Sequence, residues 1–223
     1  MSDNSTVVIT GANRGIGLEL ARLYAGRSCS VIGVCREASP ELEEVAARII
    51  DSVDVTTNEG VARLVAGLEG QSIDLLINNA GLLQDEKLGS IDFDSIRTQM
   101  EINAYAPLKI AEALFEKIPS GGKIANITSR MGSIADNDSG GRYGYRASKA
   151  ALNAFGKSLA MDLKPRGIAV AQLHPGYVQT RMVNFGGLIT PEESAKGLAE
   201  RIDGLTLENT GSFWHSNGDE LPW

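Results

Sequence analysis

Short β-branched runs alternate with longer amphipathic stretches along the whole chain, and this alternation is the feature that most limits the fold. Runs that are apolar nearly throughout are typical of strands buried on both faces of a parallel sheet. We therefore predict an α/β fold with a Rossmann-type, doubly wound, seven-stranded parallel sheet. The predicted strands are Thr6–Thr10, Ser30–Cys35, Ile49–Asp54, Ile73–Asn78, Lys123–Thr128, Ile168–Leu173 and Ser212–His215.

Helical stretches lie between these runs, and none of the chain reads as a linker or repeat. The clearest helices are "IGLELARLYAG", "NEGVARLVAGL", "DFDSIRTQMEINAYAPLKIAEALFEKI" and "YRASKAALNAFGKSLAMDLK", the last of which ends at "PRG". The 223 residues suit a single domain, predicted over 1–223. The least regular stretch predicts a lid loop at about 174–190. "TPEE" then begins a helix, with a capping box from Thr190 and Glu193.

Charge and cysteine usage exclude some partners. The chain has 21 basic and 28 acidic residues, net −7, which argues against nucleic acid or an anionic membrane as the main partner. No run has membrane-spanning length, and the N-terminus lacks a signal-peptide pattern. Cys29 and Cys35 lie at opposite ends of one predicted strand, about 20 Å apart, which is too far for a disulfide. We expect a reducing, cytoplasmic setting.

A glycine-rich turn follows the first predicted strand. "TGANRGIG" places Gly11, Gly15 and Gly17 directly before a helix. Glycines permit a tight turn and a close approach to a pyrophosphate, whose charge the helix N-terminus stabilises. The spacing departs from G-x-G-x-x-G, and such a turn alone is weak evidence, but its place in the first strand–helix unit favours nucleotide binding over a plain turn.

Polar residues follow two further strands, and a tyrosine–lysine pair opens a helix. "NNAG" ends the fourth strand, and its residues, Asn79 among them, are as consistent with a structural role as with a functional one. "NITSR" places Ser129 at the same sheet edge. In a helix, Tyr145 and Lys149 share a face, whereas Tyr143 does not share it. A phenol has a pKa of about 10, which a nearby ammonium ion lowers by about 1 to 3 units. We predict that Tyr145 transfers a proton and Lys149 tunes it.

Taken together, the chain resembles the short-chain dehydrogenase/reductase family over nearly its whole length. "TGANRGIG", "NNAG", Ser129, "YRASK" and "HPG" occur in that family's order. The resemblance implies a catalytic tetrad in which Ser129 binds the substrate oxygen, Tyr145 transfers the proton, Lys149 also holds the nicotinamide ribose and Asn103 helps to anchor a relay water. It implies an oxidoreductase that transfers hydride between a nicotinamide and a small carbonyl or alcohol substrate.

The same resemblance assigns the cofactor site. The implied cofactor-binding residues are Gly11, Asn13, Arg14, Gly15, Ile16, Gly17, Arg36, Asp54, Val55, Asn79, Ala80, Gly81, Tyr145, Lys149, Pro175, Gly176, Val178 and Thr180. The tail "GSFWHSNGDELPW" is similar to those of C-factor-like and sniffer-like carbonyl reductases. The family's shared helix face implies a homodimer or homotetramer.

Basic residues favour NADP(H) over NAD(H). The second strand ends in "VCRE", so Arg36 stands where an NAD-binding chain carries an acidic residue, and Arg14 lies in the glycine turn. Two guanidinium groups suit a 2′-phosphate. Glu37 takes the ribose position instead if the strand is one residue longer.

Other readings carry less weight. His174 and His215 do not belong to a cluster with metal-ligand spacing, so we predict no metal. G-x-S-x-G is absent, which argues against a serine hydrolase. A dinucleotide-binding signalling or regulatory protein with little turnover is the main alternative, and an isomerase or dehydratase is a third. A complete tetrad favours the enzyme, because a sensor has no chemical need for Tyr145 or Ser129.

Overall fold

Residues 4–223 are described by the computed structural model, and they form one seven-stranded parallel sheet with helices on both faces. The strands are β1 (Thr6–Thr10), β2 (Ser30–Val34), β3 (Arg48–Ile50), β4 (Leu75–Asn78), β5 (Lys123–Ile127), β6 (Ala169–His174) and β7 (Phe213–His215). Their order across the sheet is β3-β2-β1-β4-β5-β6-β7, and each neighbouring pair is parallel. The predicted doubly wound α/β fold is therefore confirmed, and the strand order reverses between β1 and β4.

Seven α-helices occur in this part of the chain. They are α1 (Gly15–Gly26), α2 (Pro40–Glu43), α3 (Asn58–Gly67), α4 (Phe93–Met100), α5 (Ala106–Leu114), α6 (Tyr143–Leu163) and α7 (Pro191–Asp203). The capping box at the start of α7 forms as the sequence predicts, with Thr190 and Glu193 each accepting a hydrogen bond from the other's backbone N–H. Within residues 4–223, no helix combines the length and the apolar character that crossing a membrane requires.

Alternate residues of the strands point to two separate core layers, as the two-residue period of a strand dictates. Val7 and Ile9 of β1 lie in the layer that α1 and α7 cover, together with Leu20 and Leu198. Val8 lies in the opposite layer, which contains residues of α3, α5 and α6. Because both faces are covered, the loops at the carboxyl ends of the strands are left as the open edge where ligands bind.

Two sequence predictions need correction at their boundaries. The third strand was expected to reach Asp54, but β3 ends at Ile50 because it is an edge strand that pairs with β2 over three residues only. The single helix expected between Asp92 and Ile118 is interrupted by a π-helical turn over Glu101–Tyr105. Pro107 lies just after this turn, at a position where its ring does not disturb an earlier α-helical hydrogen bond.

Candidate active site

The turn between β1 and α1 has room for backbone alone. Gly11 and Gly15 have φ values of 65° and 55°, a region that side chains disfavour. A Cβ at Gly17 would collide with the carbonyl oxygen of Gly11 and lie 2.5 Å from Nδ2 of Asn79. The N-cap residue Arg14 makes no side-chain capping bond, so the first amides of α1 lack that partner. This arrangement suits the close approach of a pyrophosphate to a helix N-terminus.

Asn79 links the glycine turn to the end of β4. Its Nδ2 donates to the carbonyl oxygens of Thr10 and Gly11, at 3.0 and 3.2 Å. The backbone N–H groups of Asn79 and Ala80 donate to Oγ1 of Thr10, at 3.0 and 3.1 Å. The side chain of Asn79 therefore holds the turn in shape, and Ala80 lies against it, with its Cα 3.0 Å from a Cβ built at Gly11.

Arg36 follows the end of β2, and Arg14 lies in the glycine turn as the N-cap residue of α1. β2 ends at Val34, one residue before its predicted end. The strand is therefore not longer than predicted, which is the condition under which Glu37 would take the ribose position. Arg14 and Arg36 are exposed, and neither forms an ion pair with a residue of 4–223. Asn13 donates from Nδ2 to the backbone oxygen of Glu37 at 2.9 Å, which ties the turn to this segment.

Asp54 and Val55 lie in the loop after β3. Oδ1 of Asp54 accepts from the N–H and the hydroxyl of Thr56, at 3.0 and 2.7 Å. These hydrogen bonds lower the pKa of the Asp54 carboxyl, and the charge of Arg36 lowers it further. Val55 is half-buried against the core layer of α3. Arg36 and Asp54, both predicted to contact the cofactor, therefore interact electrostatically.

Three of the predicted catalytic side chains meet at the carboxyl end of β5. Tyr145 and Lys149 lie one turn apart on α6, with Nζ of the lysine 5.8 Å from the centroid of the tyrosine ring. Ser129 follows β5, its Oγ accepts from the N–H of Met131 at 3.1 Å, and its side chain lowers the pKa of the phenol. All three are buried, whereas Tyr143 is 39% exposed. Tyr145 and Lys149 are thus on one buried face of α6, as their four-residue spacing predicts.

The pKa of this phenol differs from expectation. Burial raises the pKa of Tyr145, and the hydrogen bond from Ser129 and the charge of Arg142 oppose that rise. Burial also lowers the pKa of Lys149 to about 7, so at neutral pH its amine is only partly charged and is a weak source of positive potential. The expectation that the lysine lowers the pKa of the phenol is therefore wrong for the chain without ligand, because desolvation dominates.

Lys149 is held by backbone, and a glycine leaves space beside it. Its Nζ donates to the carbonyl oxygen of Ile127 at 2.9 Å. A Cβ built at Gly81 would lie 3.8 Å from this Nζ and 3.3 Å from Oδ1 of Asn103. Gly81 thus keeps the approach to the lysine clear, which fits a position beside a ribose.

Asn103 lies in the π-helical turn and is fully buried. Its Oδ1 accepts from the N–H of Leu82 at 2.8 Å, and its Nδ2 donates to the oxygen of Leu82 at 2.7 Å and to Oγ of Ser148 at 3.0 Å. The side chain therefore joins the loop after β4 to α6 and has no spare donor for a water. A π-turn frees backbone groups and is frequent at functional sites, and no signal in the sequence predicted it.

A buried carboxyl that the sequence analysis missed supports the start of the catalytic helix. Glu86 is 3% exposed. Its Oε2 accepts from the N–H of Gly144 at 3.0 Å, and its Oε1 accepts from Oγ of Ser95 and Nε2 of Gln99, at 2.7 and 2.6 Å. Arg142, the N-cap residue of α6, gives no side-chain cap. Glu86, in the loop after β4, accepts the hydrogen bond from the first turn of α6 instead, one residue before Tyr145.

A cleft of about 410 Å³ lies beside these residues. The predicted site residues that line it are Ile16, Ser129, Tyr145, Pro175, Gly176, Val178 and Thr180. Gly176 has φ 91°, and a Cβ there would lie 2.8 Å from Cδ1 of Ile189, so the "HPG" turn also depends on a glycine. The backbone oxygen of Pro175 accepts from the hydroxyls of Ser194 and Ser216, which hold this turn against α7 and the last strand's loop.

His174 also lines the cleft but is not suited to proton transfer. Burial lowers its pKa to about 3, and the ring of His215 packs edge-on against it with centroids 4.7 Å apart. In residues 4–223, no group of three or more histidine, cysteine or acidic side chains is arranged to hold a metal ion. The low pKa keeps the imidazole neutral at physiological pH.

Comparison with known proteins settles the family. The family model described as short chain dehydrogenase matches residues 5–186. This chain belongs to the short-chain dehydrogenase family. It is 41% identical over 225 residues to the 1-hydroxy-2-glutathionyl-2-methyl-3-butene dehydrogenase of Rhodococcus sp. (strain AD45), a match that covers 98% of this chain and 100% of the relative.

Two further likenesses bear on the expected subgroup of this short-chain dehydrogenase. The C-signal protein of Myxococcus xanthus is 41% identical over 154 residues, which are 68% of this chain and 93% of that protein. A carbonyl reductase of Pseudomonas aeruginosa PAO1, solved in complex with NADP, has a TM-score of 0.87 and 32% identity, with 100% of both chains covered. The expectation of an oxidoreductase with C-factor-like and carbonyl reductase relatives is confirmed.

The residues present fit a nicotinamide dinucleotide. The glycine turn excludes side chains where a pyrophosphate approaches, and the first amides of α1 lack a side-chain cap. The space beside Lys149 lies at the same sheet edge as the cleft. When bound, the dinucleotide supplies the hydride chemistry. The chain itself supplies the cradle, a buried phenol and a hydroxyl.

Proposed function

We propose that this short-chain dehydrogenase is an NADP(H)-dependent carbonyl reductase or alcohol dehydrogenase. The observation that carries the proposal is that Tyr145 and Ser129 line one cleft of about 410 Å³, with Nζ of Lys149 5.8 Å from the centroid of the tyrosine ring. A phenol and a hydroxyl that can both reach one oxygen atom suit the interconversion of a carbonyl group and an alcohol.

Each residue then has a distinct task. The hydroxyl of Ser129 donates a hydrogen bond to the substrate oxygen, and the phenol of Tyr145 gives or takes the proton at that oxygen. Lys149 holds the nicotinamide ribose, for which the space beside Gly81 is suitable. The glycine turn, with Asn13 and Ile16, holds the pyrophosphate, and Val178 and Thr180 hold the carboxamide. Asn103 positions α6 through Ser148.

The preference for NADP(H) over NAD(H) rests on Arg14 and Arg36. Both guanidinium groups lack an ion-pair partner in the described chain, so they are available to a 2′-phosphate. Titration of both cofactors should show at least about a tenfold preference for NADPH, and the Arg14→Ala/Arg36→Asp variant should lose or reverse it. Equal affinities in the wild-type protein would point to Glu37 as the ribose ligand instead.

The test of the activity is an absorbance assay at the nicotinamide band. Aldehydes, diketones and quinones serve as carbonyl substrates, and simple alcohols as substrates in the other direction. S-(2-hydroxyethyl)glutathione belongs in the panel because a relative that matches the whole chain is named for a glutathionyl alcohol. Turnover that disappears in Tyr145→Phe supports the enzyme. NADPH binding without turnover of any compound would favour the regulatory alternative, for which C-signal is the relevant relative.

The proposal also covers the oligomeric state of the protein, its lid loop and its location in the cell. Phe93 on α4, Tyr105 in the π-turn and Met161 on α6 are 63%, 38% and 48% exposed, which supports a homodimer or homotetramer through these helices. The loop at about 174–190 acts as a lid, for which its exposed Phe185 and Leu188 offer apolar surface. The buried thiols Cys29 and Cys35 suit a cytoplasmic setting.

A further inference from the structure

Two arginines lie next to Tyr145 at the start of α6. Arg142 immediately precedes α6, and Arg146 lies in its first turn, four positions later. Both line the same cleft as Tyr145. Arg142 lies three positions before Tyr145 and Arg146 one position after it, so both side chains begin within about one turn, or 5.4 Å along the axis, of Tyr145. Charge at this place acts directly on whatever the cleft binds.

Arg146 is held in place but not neutralised. Its Nη2 donates to Oγ of Ser139 at 2.8 Å, and its Nε donates to the backbone oxygen of Gly140 at 3.3 Å. Both acceptors are uncharged. Within residues 4–223, no carboxylate lies at ion-pair distance from Arg146. The guanidinium therefore lines the cleft without an ion-pair partner in this part of the chain, while Asp136 interacts with it electrostatically from beyond ion-pair distance.

Arg142 has a carboxylate partner, but a weak one. Its Nε lies 2.5 Å from Oδ1 of Asp85, and the two side chains are 46% and 60% exposed. An exposed ion pair of this kind contributes little, so a ligand can replace it. Nη1 of Arg142 lies 3.8 Å from Sδ of Met131, which places the guanidinium over the loop that follows Ser129. The charge of Arg142 also opposes the rise in the pKa of Tyr145, in agreement with that position.

The remaining charges of the cleft do not cancel this pair. Arg130 donates from two nitrogens to the carboxylate of Asp136, so these two lining residues neutralise each other. Asp138 is the other acidic residue in the lining. The cleft lining holds three arginines and two aspartates, and Asp85 outside the lining pairs with Arg142, so the basic excess of the lining becomes available when a ligand anion displaces Asp85. A local excess of one sign favours ligands of the opposite charge.

We propose that Arg142 and Arg146 form an oxyanion subsite, so that the preferred carbonyl or alcohol substrates carry a carboxylate or a phosphate group. Planar guanidinium donors suit both groups. Apolar side chains also line the cleft, among them Leu83, Met182 and Val183. The substrate class is therefore an apolar body with a reacting oxygen at Tyr145 and an anionic group near the start of α6. This inference rests on the proposed function and adds the substrate class to it.

Three aldehydes of the same skeleton test the subsite. The intact protein and NADPH are assayed with 4-carboxybenzaldehyde, 4-formylphenyl phosphate and the neutral methyl 4-formylbenzoate. At least one anion should exceed the ester at least about tenfold in kcat/KM, and this advantage should fall as salt rises from about 0.02 M to about 0.5 M. The better of the two anions decides between carboxylate and phosphate.

Substitutions of the two arginines test whether they cause the preference for anionic substrates. In Arg142→Gln/Arg146→Gln the ratio of anion to ester should fall to about one, while Arg146→Lys should keep part of it. Arg22→Gln, which removes an exposed guanidinium paired with Glu19 on α1, is the matched control and should keep the wild-type ratio. An ester turned over as well as both anions, or a ratio that survives the double variant, would overturn the subsite and leave the oxidoreductase intact. Absence of turnover with all three would overturn both.

Discussion

The two halves of the carboxyl edge of the sheet are built by opposite means. At the turn after β1, shape comes from the absence of side chains, since Gly11 and Gly15 have positive φ and Gly17 has no space for a Cβ. At the end of β5, function depends on buried polar side chains, of which Tyr145 and Lys149 are 7% and 4% exposed. The first half forms a cradle from backbone, and the second gathers the buried side chains to which we assign proton transfer.

This difference teaches which changes each half tolerates. A cradle made of backbone is sensitive to added volume, because an extra methyl group meets main-chain atoms. A cluster of buried polar groups is sensitive to the loss of a hydrogen-bond partner, because each orphaned group carries its desolvation penalty. Substitutions chosen on these grounds should separate cofactor binding from proton transfer.

The largest effect is expected at the phenol. Tyr145→Phe removes the proton donor and should lower kcat at least about a hundredfold, the low end of acid–base contributions. Tyr143→Phe is the matched control, because this tyrosine is 39% exposed and lies on another side of α6. Steady-state kinetics with the best aldehyde measures both. If the two substitutions exchanged effects, the assignment of the helix face would be wrong.

Removal of the buried Glu86 carboxyl should lower the free energy of unfolding. Glu86→Ala leaves the N–H of Gly144 and Nε2 of Gln99 without their acceptor, which should cost about 2–3 kcal/mol of unfolding free energy in urea. The unfolding free energy of Glu86→Gln should lie between those of the wild type and Glu86→Ala, because the amide offers one acceptor oxygen where the carboxylate offers two. The exposed Glu112→Ala serves as control. A stable Glu86→Ala would mean that the helix start needs no support from this loop.

Burial of Lys149 predicts a dependence of stability on pH. Its pKa falls from 10.5 unfolded to about 7 folded, so between pH 7 and about 10 the unfolded chain binds the extra proton and stability rises with pH. Between pH 7 and pH 9 the unfolding free energy of the wild-type protein should rise by about 2 kcal/mol more than that of Lys149→Met. Urea unfolding in the absence of cofactor measures both. An equal change in the two proteins would show that the amine is charged in the folded state.

The smallest expected effect concerns the cradle. Gly17→Ala places a methyl group against the oxygen of Gly11 and should weaken NADPH binding about tenfold, because the turn must open. Gly26→Ala, at the other end of α1, has no atom within 4 Å of its new Cβ and should bind NADPH normally. Fluorescence titration compares them. Normal binding by Gly17→Ala would remove the claim that the turn has no space for a side chain.

The same contrast explains what the sequence predicts well. Local patterns determine the strands, the glycine turn and the Tyr145–Lys149 face, because each depends on neighbours within a few residues. Glu86 was missed because its partners Gly144 and Gln99 lie 58 and 13 positions away. The π-turn at Asn103 was missed since its residues read as ordinary helix. The pKa of Tyr145 depends on burial by the whole fold, which a spacing rule does not contain.

The most direct test of the division between cradle and proton-transfer pair is the NADPH dissociation constant of Tyr145→Phe. The phenol's oxygen belongs to the second half, so its removal should leave the constant within about twofold of wild type although turnover is lost. Fluorescence titration of the purified variant provides the value. NADPH binding weakened tenfold or more would contradict the division and show that the phenol is part of the cradle.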